Sequence, residues 1–143
     1  EQSISGLDHE VPSEERDYVR AVRAEPDARR KLRIYAAAVR RTQDRLAPIA
    51  AVIREAAPSE PDVKALWTEI IQRRAANMRT FVSDVAQVSP LRAGLDIDRA
   101  ADIVWLLNSS EVYLLLTTER NWSGDDFERW LGETWERVLL PDP

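Results

Sequence analysis

Residues 103–116 read Ile103-Val104-Trp105-Leu106-Leu107-Asn108-Ser109-Ser110-Glu111-Val112-Tyr113-Leu114-Leu115-Leu116, two apolar runs parted by four polar residues. Consecutive apolar positions wrap every side of a helix, and a soluble helix that is hydrophobic all round needs cover on all sides. One layer of helices from a chain of 143 residues hardly supplies that cover. The stretch therefore reads as a surface shared with a second copy of the chain. It extends as helix over 97–118, turns at 119–122, and resumes as helix over 123–140.

The turn carries the clearest local signal. Ser123 stands where it can cap the second helix, with Asp126 three residues on to complete a capping box, and Trp122 and Phe127 are placed for a hydrophobic staple. Beyond it Phe127, Trp130, Leu131, Thr134, Trp135, Val138 and Leu139 recur at steps of three and four, a stripe too wide for one partner. The expected dimer interface is Val104, Glu111 and Leu115 on the first helix with Phe127, Trp130, Leu131, Thr134, Trp135 and Val138 on the second.

Upstream the period is equally plain. Ala28, Leu32, Tyr35, Val39, Thr42, Leu46, Ile49 and Ile53 make one buried helical stripe. Pro48 lies inside it and removes a backbone donor, which predicts a kink or a fresh helix at that point. Ser59 and Asp62 stand in capping-box register ahead of a helix over 62–87, roughly 39 Å long. Its stripe is Val63, Leu66, Trp67, Ile70, Ile71, Met78, Phe81, Val82 and Val85, interrupted by one charge, Arg74. A shorter helix over 13–24, capped by Ser13, shows Tyr18, Val19 and Val22 on one face, and residues 1–12 have no period. The reading is one all-α domain over 13–143, a bundle of five to six helices, preceded by a tail and loop at 1–12.

Composition narrows the chemistry. There is no cysteine and one histidine, His9, which excludes disulfides, thiol nucleophiles and zinc-thiolate sites. With no HxxxH or ExxH pair, neither a histidine metal site, a serine-histidine hydrolase nor a carboxylate-bridged di-metal bundle fits. No catalytic role, metal or cofactor is expected. A net charge of −5 is the wrong sign for a nucleic-acid surface. The Pro- and Gly-bearing loop at 89–96 is also too long for the turn of a helix-turn-helix. The longest apolar run, Ile34 to Val39, is six residues, far short of a membrane span. The lack of cysteine suits a reducing, cytoplasmic location. The chain begins at Glu1 rather than methionine, which suggests a fragment or processed product.

The informative residues are polar ones on apolar stripes, because a buried polar group needs a partner in the protein or in a ligand. Asn108, inside the most apolar helix, leads; Arg74 is a cation placed for an acidic ligand at a pocket mouth, or one whose stem packs while its head reaches water. The candidate ligand-binding set is Tyr35, Val39, Thr42, Leu46, Trp67, Ile71, Arg74, Met78, Trp105, Asn108 and Tyr113. A cavity lined by such side chains would select flat, apolar ligands.

The run Leu91-Arg92-Ala93-Gly94-Leu95-Asp96-Ile97-Asp98-Arg99-Ala100-Ala101-Asp102 resembles the C-terminal half of TetR-type transcriptional regulators. So do Trp105-Leu106-Leu107, Glu111-Val112-Tyr113, Trp122-Ser123, Trp130-Leu131 and Leu139-Leu140-Pro141. The resemblance implies a homodimeric regulatory domain, usually of a repressor, whose last two helices pair with their mates in an intersubunit four-helix bundle. It further implies a small hydrophobic effector bound between the middle helices, and DNA contact only through an N-terminal helix-turn-helix that is absent here. The alternative is a stand-alone helical module that uses the same surface to bind a different chain.

Overall fold

Helical periodicity carries through to the three-dimensional structure. A computed structural model describes residues 13–143, so the tail at 1–12 lies outside the described residues, as does the side chain of Ser13, the expected cap of the first helix. The helices are α1 (Ser13–Ala24), α2 (Ala28–Ala56), α3 (Pro61–Val88), α4 (Ile97–Leu107), the single turn α5 (Ser110–Leu114) and α6 (Gly124–Leu139). A 3-10 turn, Ala57–Ser59, joins α2 to α3, and a wide turn, Leu115–Glu119, extends α5. No strand occurs among the described residues.

Most helix starts are held by a short polar side chain accepting from an orphan backbone N–H. Asp27 accepts from Arg30 N at 3.2 Å, Asp96 from Arg99 N at 2.8 Å, Ser109 from Val112 N at 3.2 Å and Ser123 from Asp126 N at 3.0 Å. At Ser123 only half of the capping box forms, because the Asp126 carboxylate accepts from Arg129 at 3.3 Å. Trp122 meets Trp130 edge-on at 5.8 Å, while Phe127 packs edge-on with Tyr113 at 5.0 Å. The Ser59–Asp62 box does not form at all. Ser59 Oγ donates to Ala56 O at 3.3 Å, and α3 begins at Pro61, whose missing N–H needs no partner in a first turn.

No fresh helix begins at Pro48; α2 runs through it. The proline ring is exposed, and the ladder loses one bond, to the carbonyl of Asp44 four residues back.

The central helix is α2, packed against α1, α3, α5 and α6, while α4 lies along α3. Leu32, Val82, Val104, Phe127, Leu131 and Trp135 form the innermost core. Trp135 stacks on Tyr35 at 5.6 Å, and Tyr35 packs against Phe81 at 4.3 Å. This corrects the expected dimer surface: Val104, Phe127, Leu131 and Trp135 have no accessible surface within one chain. The broad stripe of α6 is covered by α2, α4 and the wide turn, so it needs no second copy to explain its width. Glu111, Trp130, Thr134 and Val138 stay partly accessible, and Leu115 keeps 59% of its surface.

Among the described residues two charged ones are buried, Lys31 and Glu136, and Lys31 is the deeper. Lys31 is 1% exposed; its Nζ donates to Val22 O and pairs with Asp84 at 2.8 Å. It thereby joins Glu25 N, at 3.3 Å, on a carbonyl in the last turn of α1, and ties α1, α2 and α3 together.

Candidate functional site

The break in the most apolar segment is a junction of two caps. Asn108 ends α4 with φ −90° and ψ 6°, and Ser109 at once begins α5. This turns the Asn108 side chain inward, where it is 6% exposed and fully engaged. Its Oδ1 accepts from Arg74 at 2.6 Å, and its Nδ2 donates to Tyr35 Oη at 3.2 Å and to Met78 Sδ at 2.9 Å. Gln43 donates to the Asn108 carbonyl at 2.8 Å. Tyr35 in turn donates to Met78 Sδ at 3.2 Å. One amide thus gathers polar groups from α2 and α3 at the place where α4 stops.

Arg74 is the charge in this cluster. It donates to Trp105 O at 2.7 Å as well as to Asn108, and its guanidinium lies 5.3 Å from the centre of the Trp105 ring. Burial pulls its pKa below the ordinary guanidinium value; an arginine still keeps its charge at any ordinary pH.

A groove of about 320 Å³ runs between α1 and α3, lined in part by Tyr18, Val22, Tyr35, Met78, Phe81 and Asp84. Two of these, Tyr35 and Met78, are the side chains that hold Asn108. The groove therefore backs directly onto the polar cluster.

Of the candidate ligand residues, the structure brings together Tyr35, Arg74, Met78, Trp105 and Asn108. Val39 lies in the core, and Thr42, Leu46, Trp67 and Ile71 are half-buried outside the hydrogen-bonded group. Tyr113 faces elsewhere: its hydroxyl donates to the Asp44 carboxylate, which also accepts from Arg40 at 2.8 Å. Arg40 reaches on to Asp125 at 2.8 Å in the first turn of α6. Lys31, buried, and Gln43 and Asp44, at the accessible edge of these networks, were missed as network residues. A signal existed for two of them, since Lys31, Tyr35, Val39 and Gln43 follow one another in steps of four along a single ridge of α2.

Both tyrosines of these networks hold their protons tightly. Burial, then the hydrogen bond to Asp44, pushes Tyr113 up to about 12, and burial lifts Tyr35 well above its ordinary value. The unfolded chain, with tyrosines near pKa ~10, loses these protons first as pH rises. Stability is accordingly full below that point and falls as pH climbs toward about 12. Alkaline absorbance titration should show Tyr35 and Tyr113 ionising only as the helical circular-dichroism signal is lost. Ordinary titration of all three tyrosines in a chain that stays helical would contradict this.

Among the described residues no group of histidine, cysteine or acidic side chains could hold a metal ion, and no helix is long and apolar enough to cross a membrane. The chain matches no family model, no curated protein and no solved structure. A functional reading therefore has to come from the residues and their geometry.

Proposed function

We propose that this chain is the ligand-sensing and dimerisation domain of a TetR-type transcriptional repressor. The observation that carries the reading is the buried cluster around Asn108, which joins α2, α3 and the α4–α5 junction behind an apolar groove. A small apolar or aromatic effector in the groove presses on Tyr35 and Met78, the two side chains that accept from the Asn108 amide. The junction they hold separates the two most open leucines of this region, Leu106 at 54% and Leu115 at 59% exposure. Paired copies meet on that outward side, together with the accessible flanks of Trp130, Thr134 and Val138. Ligand then shifts the population of two dimer geometries by its differential affinity for them. DNA contact belongs to a helix-turn-helix that is not among these helices.

Two measurements test the two halves. The wild-type chain is expected to sediment as a dimer, and Leu106→Glu with Leu115→Glu is expected to give a monomer of unchanged helicity. A thermal-shift screen of aromatic and aliphatic compounds is expected to find stabilisers. A monomeric wild type removes the dimerisation half, and an empty screen removes the sensing half. The same open leucines favour a second reading, a helical module that binds a different chain, which predicts a wild-type monomer with no stabilising compound.

A further inference from the structure

Arg74 stands on α3 one turn before Met78 and three residues before Asn77, which lines the groove. Its hydrogen bonds all come from Nη2, and both acceptors, the Trp105 carbonyl and the Asn108 amide oxygen, are neutral. No carboxylate among the described residues pairs with it; Glu111, the acid whose field reaches it, is paired with Arg54 at 3.4 Å. A part-buried cation without a counter-charge is an arrangement that proteins normally relieve with a partner. A second donor is stranded beside it: Trp105 Nε1–H is buried and meets no acceptor among the described residues. The ring bearing that donor is the one beneath the guanidinium. Donors thus outnumber acceptors here, and no anionic acceptor is present.

We propose, building on the ligand-sensing reading above, that this place binds the carboxylate of an amphipathic organic acid. Arg74 and the Trp105 indole N–H donate to the carboxylate oxygens, and the acid's apolar tail lies in the groove against Met78, Tyr35 and Phe81. The planar guanidinium fork matches a carboxylate in shape, and one cation matches its single charge. Bonds between an ionised donor and an ionised acceptor are roughly twice as strong as neutral ones. The carboxylate therefore displaces Asn108 Oδ1 from Arg74, which frees the side chain that ends α4. Head-group recognition and release of the α4–α5 junction become the same event.

Titration calorimetry on the whole chain with matched probes, decanoate against decanamide and cinnamate against cinnamamide, tests the assignment. Each acid is expected to bind about tenfold more tightly than its amide. Arg74→Gln should abolish that preference, the acids losing about tenfold more affinity than their amides. Trp105→Phe, which keeps a ring beneath the cation and deletes only the N–H, should weaken the acids severalfold more than the amides; it serves equally if Arg74→Gln fails to fold. Equal binding of acid and amide by the wild type overturns the carboxylate site and leaves ligand sensing standing. An acid preference that survives both substitutions also overturns it. Failure of all four probes to bind overturns the carboxylate site, while the sensing reading stands or falls with the thermal-shift screen.

Discussion

Leu131→Asp is expected to abolish folding, whereas Trp130→Asp, one residue away, leaves the chain folded. Leu131 is fully buried where α6 lies on α2. Its replacement forfeits about 1.5–3 kcal/mol of apolar burial and adds an unpaired carboxylate whose burial costs several kcal/mol more. The sum rivals the whole stability of an ordinary domain, about 5–15 kcal/mol. Trp130 is half-buried and rests edge-on against Trp122 at 5.8 Å. Losing that contact costs about 0.5–1.5 kcal/mol beyond the area exposed, and an aspartate in its place reaches water. Circular dichroism and urea unfolding of the two variants check this. A native spectrum for Leu131→Asp would refute the packing of α6 against α2.

Asn108→Ala is expected to cost about 2–4 kcal/mol, since one deletion withdraws the amide acceptor from a part-buried cation and the donor from Tyr35 and Met78. Hydrogen bonds to charged groups are worth about 1.5–3 kcal/mol, and the groups left unpaired add their desolvation. The urea midpoint should drop with no change in slope, the mark of lost stability rather than altered compactness. Asn108→Asp is the informative companion. It gives Arg74 an anionic acceptor at the position now 2.6 Å away, but removes both Nδ2 donations, so it should lie between Ala and wild type. A cost below about 0.5 kcal/mol for the alanine variant, the size of an ordinary surface substitution, would show that Asn108 does not hold the cluster.

Helices were legible in this sequence because their signals are local. The steps of three and four from Ala28 to Ile53, the break at Asn108 and the cap at Ser123 each depend on residues within one or two turns. Coverage was not legible, because the width of a stripe does not say what lies on it. Phe127, Leu131 and Trp135 looked like surplus apolar surface until α2 and α4 were seen to flank α6. Polar pairing was half legible. Asn108, Arg74, Tyr35 and Met78 were marked singly as polar or polarisable groups on apolar stripes, and the fold puts them in one cluster. Tyr113 went to Asp44 instead, and Lys31 went inward, because the choice of partner depends on how helices far apart in sequence are rotated against each other. The misassigned cap at Ser59 has a local cause, since Pro61 makes a side-chain cap unnecessary there.

The wide turn after α5 closes with Arg120 N donating to Leu115 O at 3.1 Å, a span of five residues where a regular helix uses four. It therefore stores one residue more than a regular turn would hold. Chain length in this region can change without disturbing its neighbours: deleting one of residues 115–119 would restore α-helical register, while α5 upstream stays pinned through Tyr113 and Asp44. Insertions and deletions are most readily absorbed at this point of the chain, on the very surface where two partners would have to agree on a fit.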